Sequence, residues 1–201
     1  MKLNWAERWA VNNPLRPIQQ RLEMAWFAKR AGIAPGSRIL EVGCGRGAGA
    51  RLIREAFRPS ELHAMDLDIA MIGRAGRYLD AGMRREIAFF VGDCSRLPCG
   101  DQSFDALFGF GVLHHIPDWQ GALAEIVRVL RPGGTYAFEE LYPALYGNAL
   151  TKRLLLHPAQ NRFRSEDLRQ ALATAGLDLR HGIEHPKLGT LGIAVKFFKV
   201  L

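Results

Sequence analysis

Residues 39–47 read Ile-Leu-Glu-Val-Gly-Cys-Gly-Arg-Gly, an apolar run that ends in a carboxylate and three alternating glycines. Glycines spaced in this way let the backbone turn sharply out of a strand and present bare N–H groups at the start of a helix. Gly43, Gly45 and Ala48 also fit the fingerprint of dinucleotide-binding folds, so the loop alone leaves the kind of cofactor open. The candidate residues for binding a nucleotide-like cofactor here are Glu41, Gly43, Cys44, Gly45 and Gly47.

Two aspartates at the ends of later apolar runs narrow the choice of cofactor. Asp66 stands 19 residues after Gly47, near the spacing at which a carboxylate accepts hydrogen bonds from a ribose. A helix cap is the alternative role for Asp66, and it is the role that we expect for Asp68. Asp93 ends the third run, where a carboxylate can accept a hydrogen bond from an adenine amino group. A dehydrogenase has little use for this second acid, so the pair favours an adenosyl cofactor.

The composition indicates one domain in a reducing compartment. At 201 residues with 48% hydrophobic content, the chain can bury a core without disulfides or a metal. Its three cysteines form no C-x-x-C pair, which suits the cytoplasm. No apolar run reaches the roughly 18 residues of a membrane span, and no signal-peptide core follows Met1. We therefore expect a cytoplasmic protein.

Short apolar runs alternate with helical patterns between residues 38 and 140, which predicts βαβ units and a parallel sheet. Asp118 and Ser165 are the expected caps of two later helices. Residues 1–32 and 141–164 lie outside this scaffold, where they could cover the carboxyl ends of the strands. We expect one α/β domain over residues 1–201. The predicted strands are 38–42, 61–66, 87–92, 104–110 and 135–140, with an antiparallel pair at 177–184 and 190–199.

Five ordered motifs make the chain resemble the class I S-adenosylmethionine-dependent methyltransferases, and among them the type 11 methyltransferase-domain group. The resemblance covers about residues 35–178. It implies a three-layer Rossmann-like fold, a seven-stranded mainly parallel sheet with an antiparallel last strand, S-adenosylmethionine as the cofactor and S-adenosylhomocysteine as the product. We expect no metal, because no cluster of His, Cys and carboxylates has metal-ligand spacing. The matching segments are 41–47 with Asp66, 92–98 (Gly-Asp-Cys to Leu-Pro), 103–118 (including Val-Leu-His-His-Ile-Pro-Asp), 125–134 and 162–177.

By this resemblance the methionine end of the cofactor is held by Glu41 and by the backbone of residues 43–47, the glycine loop. Asp66 binds the ribose, and the adenine packs against Leu67 and Cys94 beside Asp93. Further contacts to the methionyl part are expected from the backbone carbonyls of Gly109 and Phe110, at the end of the fourth strand. Because a sulfonium is already a strong electrophile, the protein mainly has to align the reactants and exclude water.

A base is needed only if the acceptor carries a proton at the methylated atom. His114 and His115 follow the fourth strand and are the candidate catalytic residues. Alternatively, they only shape the pocket, and no dedicated base is present. The candidate acceptor-site residues are Glu140, Tyr142 and Tyr146.

The motifs specify the cofactor far better than the acceptor, which we expect to be a small molecule or lipid-like. The net charge of +7 is concentrated in residues 1–30 and 150–170. Either these are solvated helical faces, or they form an electropositive entrance for an anionic acceptor or an anionic membrane surface. Residues 1–30 could form a lid or a membrane-surface element.

Two other functions are alternatives for a chain with this glycine-rich loop. The alternatives are an NAD(P)-dependent oxidoreductase with the same loop and a nucleic-acid methyltransferase. The second is disfavoured because residues 109–111 read Gly-Phe-Gly, where amino-methylating nucleic-acid enzymes have an Asn or Asp-Pro-Pro-aromatic motif. The sequence leaves the oligomeric state open.

Overall fold

The computed structural model describes residues 16–146 and 161–198. Within these ranges the chain builds one sheet between two layers of helices. In chain order the elements are α1 (Arg16–Arg30), β1 (Arg38–Val42), α2 (Ala48–Phe57), β2 (Glu61–Asp66), α3 (Ile69–Tyr78), α4 (Ala81–Arg85), β3 (Ile87–Val91), β4 (Phe104–Phe110), a 3₁₀ turn (Leu113–His115), α5 (Trp119–Val129), β5 (Leu130–Leu141), α6 (Pro143–Tyr146), α7 (Ser165–Thr174), β6 (Leu177–His185) and β7 (Gly189–Lys196).

The sheet has seven strands in the order β3-β2-β1-β4-β5-β7-β6. Strands β1 to β5 pair in parallel, whereas β7 is antiparallel to both of its neighbours. This confirms the predicted fold class, a mainly parallel sheet with an antiparallel finish. The strand order reverses between β1 and β4, and open α/β sheets bind their ligands at the carboxyl edge of such a reversal.

The two faces of the sheet follow from the alternation of side chains along each strand. In β1, Leu40 and Val42 pack in the hydrophobic cluster under α5 and α7, whereas Ile39 packs in the cluster under α1 and α2. Glu41 therefore points towards the α1 and α2 layer. In β5 the same alternation directs Glu139 to the α1 side and Glu140 to the opposite side.

Two of the three predicted helix caps are confirmed by the structure. Asp68 and Asp118 cap α3 and α5 as predicted, because their carboxylates accept N–H groups of the first turn at 3.0 Å. The predicted cap at Ser165 is wrong. Arg164 holds the cap position, and its N–H donates to Asp167 at 2.8 Å, so Ser165 is the first helical residue. Strand β5 begins at residue 130 rather than 135, through an irregular register next to β4.

The described parts of the two basic segments lie on opposite faces of the sheet. Helix α1 packs through Met24 and Phe27 in one core cluster, whereas Phe163 and Leu168 belong to the other. The predicted shared electropositive entrance is therefore not formed by these residues. Residues 1–15 and 147–160 lie outside the described ranges, as does part of each expected addition. No helix in the described part is long and apolar enough to cross a membrane.

Candidate active site

The loop after β1 turns away from the sheet at the point where three parallel strands end side by side. Val42 pairs with Met65 at the end of β2 and with Gly109 of β4. The three loop glycines have φ values of 67°, 54° and 82°, in the left-handed region that L side chains rarely adopt. The Cys44 N–H donates to the Met65 carbonyl at 2.9 Å, which fixes the loop beside β2. The backbone of the loop is thereby presented to the carboxyl edge of the sheet.

A cavity of about 280 Å³ opens above these strand ends. Its walls include the glycine loop, the end of β2, residues 92–95, residues 110–112 and 115–117, and the first turns of α1. A Cβ on Gly45 would meet nothing within 4 Å, so this position leaves room for a ligand against the backbone. The sequence-predicted cofactor residues that line the cavity are Glu41, Gly43, Cys44, Gly45, Asp66, Leu67, Asp93, Cys94 and Phe110.

Glu41 supplies a buried carboxylate at the floor of this cavity. A Cβ on Gly49 would collide with its Oε1, and the N–H of Ala50 hydrogen-bonds to the carboxylate. Its Oε2 is buried and has no hydrogen-bond partner among the described residues. Burial, and after it the charge of Asp66, holds the pKa of Glu41 well above its usual range. An ammonium group of a ligand could donate to that oxygen and would favour the ionised carboxylate.

Asp66 occupies the end of β2 with both oxygens already oriented. Its Oδ2 accepts the N–H of Gly45 at 2.8 Å, and its Oδ1 accepts the N–H of Asp68 at 2.8 Å. Each carboxylate oxygen has a second lone pair, so the group can also accept two hydroxyls of one sugar. Burial raises the pKa of Asp66. Because it accepts the N–H of Gly45, Asp66 is itself part of the structure of the glycine loop.

The third acid, Asp93, lies with Cys94 at another part of the cavity wall. The Asp93 carboxylate accepts the N–H of Ser95 at 2.8 Å, which holds the turn after β3. Cys94 is buried, and burial raises the pKa of its thiol to about 12. A thiol that stays protonated is an apolar contact rather than a nucleophile. This region could therefore enclose a flat heterocycle between apolar groups and one carboxylate.

Two predicted cofactor residues, Gly47 and Gly109, do not line the cavity. A Cβ on Gly47 would come within 3.3 Å of Leu79 and Phe89, so this glycine makes room for neighbouring side chains. Gly109 lies inside the sheet, where a Cβ would stand 3.3 Å from the Tyr136 hydroxyl. The cavity wall at the end of β4 instead consists of Phe110, Gly111, Val112, His115, Ile116 and Pro117.

The two candidate catalytic histidines have different positions relative to the cavity. His115 lines the cavity. His114 is not among the residues of the cavity wall: it is buried, its Nδ1 lies 2.7 Å from the Glu140 carboxylate, and its ring centroid lies 4.3 Å from that of His115. Glu140 also accepts the backbone N–H groups of Val112 and Leu113, at 3.2 and 2.8 Å. His115 is therefore the histidine of this pair that a ligand in the cavity can meet.

The predicted acceptor-site residues are not cavity residues in the described structure. Glu140 is fully buried beneath the loop that follows β4. Tyr142 is buried as well, and its hydroxyl donates to Glu184 at 3.0 Å. The backbone of Tyr146 ends α6, and its side chain lies outside the described part. The acceptor roles of Glu140, Tyr142 and Tyr146 therefore remain predictions.

Sequence reasoning missed several cavity residues. Gly49 had a signal, since it continues the alternate glycine spacing of the loop. Arg16 and Gln20 had none, because only the packing of α1 over the sheet brings them to the cavity. The other cavity residues that were missed are Arg46, Ala48, Met65, Asp68, Met71, Gly92 and Ser95 with the residues after Phe110.

A sheet of this order, with a glycine-rich loop after β1 and acids at the ends of β1, β2 and β3, defines the class I S-adenosylmethionine-dependent methyltransferase fold. Residues 40–138 match the family model described as "Methyltransferase domain". Residues 40–138 thus belong to the class I S-adenosylmethionine-dependent methyltransferase domains. No individual acceptor follows from this membership.

The relatives of the chain agree with this class. A sterol 24-C-methyltransferase of Gibberella zeae is 36% identical over 125 residues, which are 61% of this chain and 33% of that protein. A fatty-acid O-methyltransferase of Mycolicibacterium smegmatis is 38% identical over 111 residues, 54% of this chain and 38% of that protein. The chain thus matches well under half the length of either relative.

A solved structure shows the same fold over most of the chain. The S-adenosylmethionine-dependent methyltransferase of Mesorhizobium loti superimposes with a TM-score of 0.70 and 21% sequence identity. The match covers 86% of this chain and 98% of that one.

Proposed function

We propose that the chain transfers the methyl group of S-adenosylmethionine to a lipid-like small molecule. The observation that carries this proposal is the pair of carboxylates, Glu41 and Asp66, that face one cavity beside the open backbone at Gly45. Membership of the methyltransferase class supports the reaction. The two relatives whose names state a sterol and a fatty acid support the kind of acceptor.

The residues of the cavity fit the parts of this cofactor one by one. The Oε2 of Glu41, which has no hydrogen-bond partner among the described residues, suits the ammonium of the methionine end. The carboxylate of Asp66 suits the two ribose hydroxyls, and Gly45 lets the ligand approach the backbone. Asp93 suits the amino group of the adenine, with Cys94 as an apolar contact. These assignments remain our proposal.

When bound, S-adenosylmethionine supplies an electrophilic methyl group on a sulfonium. The protein's part is to align the acceptor with that group and to keep water away. Val112, Ile116 and Pro117 provide an apolar wall after β4 for this purpose. His115 is the proposed proton acceptor for an acceptor hydroxyl or carboxylic acid, because it lines the cavity whereas His114 is held by Glu140.

Calorimetric titration with S-adenosylhomocysteine tests the cofactor assignment. Asp66→Ala should weaken binding by about 1–3 kcal/mol, the usual cost of a lost buried hydrogen-bond partner. Asp80→Ala is the matched control, since Asp80 caps the exposed helix α4 and does not line the cavity. Absence of binding to the wild-type protein, or binding of NADH instead, would overturn the proposed function.

A panel of candidate acceptors tests the second half of the proposal. The wild-type protein is incubated with S-adenosylmethionine carrying a radioactive methyl group, and with sterols, fatty acids, small amines and RNA in separate reactions. We expect label in an organic extract of the sterol or fatty-acid reactions. Label confined to amines or RNA would contradict a lipid-like acceptor and leave the cofactor assignment intact.

A further inference from the structure

Helix α1 lies before the residues that match the family model, yet it forms part of the cavity wall. Arg16, Gln20 and Glu23 follow one another at helical spacing on the face that is turned to the sheet. Arg16 and Gln20 line the cavity. Glu23 is buried next to them, and its Oε2 has no hydrogen-bond partner among the described residues. The inner face of α1 is therefore polar where it meets the cavity.

Arg16 is held in place by carboxylates from two elements. Its Nη1 donates to Oε1 of Glu139 at 2.9 Å, and its Nη2 pairs with Oε2 of the same residue. Nη1 also lies 3.4 Å from Glu23. Gln19 bridges both carboxylates, at 2.7 Å from Glu23 and 3.1 Å from Glu139. A two-pronged contact of this kind fixes the plane of a guanidinium far better than a single ion pair does.

Two cations line the cavity in the described part of the chain: Arg16, which carboxylates hold, and Arg46, whose guanidinium lies over the Tyr78 ring. Arg16 comes from α1, and Glu41 comes from β1 on the face of the sheet that α1 covers. An amino-acid group carries an ammonium and a carboxylate on one carbon. Glu41 can pair with the ammonium of such a group. The carboxylate of the same group needs a cation, and Arg16 would be that cation.

We propose that Arg16 binds the carboxylate of the cofactor's amino-acid end, with Glu139 and Glu23 as positioning residues that aim its guanidinium. This inference rests on the proposed function. It also predicts that seating of the cofactor stabilises α1 against the sheet, because the same side chain then joins α1, β5 and the ligand.

A carboxylate is the shared chemistry, and it could also belong to an acceptor such as a fatty acid. The cofactor is the source that we favour, because Arg16 and Glu41 face the same cavity. Two ligands separate the sources. S-adenosylhomocysteine carries the amino-acid end, whereas 5′-methylthioadenosine has the same nucleoside and thioether without it.

The first measurement is calorimetric affinity for both ligands in the wild-type protein, Arg16→Gln and Arg21→Gln. Arg21 is the matched control, since it lies exposed on the same helix. Arg16→Gln should weaken S-adenosylhomocysteine about tenfold or more, as expected for a hydrogen bond to a charged group, and leave 5′-methylthioadenosine within about twofold. Arg16→Lys should retain part of the affinity, because it keeps the charge and loses the fork.

The second measurement is amide hydrogen exchange over residues 16–30. S-adenosylhomocysteine should slow exchange in the wild-type protein, and 5′-methylthioadenosine should not. Glu139→Gln should reduce the protection and the affinity for S-adenosylhomocysteine while sparing the affinity for 5′-methylthioadenosine. A positioning role predicts this ligand selectivity, and a purely structural role does not.

Three outcomes would overturn the inference. Equal losses for both ligands in Arg16→Gln would make Arg16 a structural residue only. Unchanged affinities with a raised KM for a fatty-acid acceptor would assign Arg16 to the acceptor. Unchanged affinities for both ligands together with an unchanged KM would show that Arg16 is not part of the site. By contrast, a wild-type protein that binds neither ligand would refute the proposed function itself.

Discussion

The carboxylate of Glu140 lies 2.7 Å from Nδ1 of His114, and both side chains are buried beneath the loop that follows β4. The same carboxylate accepts the backbone N–H groups of Val112, Leu113 and His114, at 3.2, 2.8 and 3.2 Å. These four contacts close the 3₁₀ turn that brings His115 to the cavity. Glu140 thus acts on the shape of the site through the loop that it holds.

Replacing Glu140 with glutamine should destabilise the protein. The new amide places N–H groups opposite the N–H donors of the turn, and unsatisfied buried groups cost roughly 1–3 kcal/mol. The measurement is the free energy of unfolding from urea titration. Glu166→Gln, an exposed position in the first turn of α7, should change it by no more than about 0.5 kcal/mol. Equal stabilities for the two variants would show that Glu140 does not hold the loop.

Gly45→Ala should remove most of the affinity for S-adenosylhomocysteine. The new methyl group meets no protein atom within 4 Å, so it would extend into the cavity where the ligand approaches the backbone. A left-handed φ also costs an alanine about 1–2 kcal/mol of stability. Calorimetry gives the affinity, and thermal unfolding gives the stability.

The control for this substitution is Gly32→Ala. Gly32 has a φ of 63°, close to the 54° of Gly45, and an added Cβ would also meet nothing within 4 Å. It does not line the cavity, so its alanine variant should lose similar stability and keep full affinity. Two variants that bind equally well would show that the ligand does not pass over Gly45.

The sequence was sufficient to place the acids and most of the strands. Glu41, Asp66 and Asp93 each end an apolar run, and parallel strands bring their carboxyl ends to one edge of a sheet. That geometry depends on chain direction and strand order alone. For this reason the predicted sheet and the gathering of the three acids at one cavity required no knowledge of side-chain packing.

Contacts between distant residues could not be predicted in the same way. Neighbouring residues of a strand point to opposite faces, so the sequence alone left open which side of the sheet Glu140 faces. A glycine can make room for a ligand, as at Gly45, or for a neighbouring side chain, as at Gly47. Arg16 reaches Glu139 across 123 residues, and only the packing of α1 determines that pair.

Binding of S-adenosylhomocysteine should release a proton from Glu41. Burial, followed by the charge of Asp66, keeps the pKa of Glu41 well above its usual range, so this carboxyl keeps its proton to a higher pH in the free protein than an exposed carboxyl does. A bound ammonium favours the ionised form. Affinity should therefore increase with pH in the range where the free carboxyl is still protonated, and the binding enthalpy should vary with the ionisation enthalpy of the buffer.

Glu41→Gln provides the comparison, because it cannot titrate. We expect it to bind S-adenosylhomocysteine more weakly, with a reduced dependence on buffer and pH. The affinity for 5′-methylthioadenosine, which has no ammonium, should change much less. A buffer dependence that is the same in both proteins would assign the released proton to another group.

Glu23→Gln should change how stability depends on pH. Burial, with a further contribution from the charge of Glu139, raises the pKa of Glu23 to about 7 from its ordinary value of 4.5. Between these values the folded protein holds a proton that the unfolded chain has released. The stabilisation is therefore complete at low pH and is lost as the pH rises through about 7. From about pH 5 to about pH 8, glutamine should gain roughly 1–3 kcal/mol of unfolding free energy relative to the wild type. Urea titrations at both pH values measure this difference, with Glu166→Gln as the control, and a difference that stays constant with pH would show that Glu23 is ionised in the folded protein throughout.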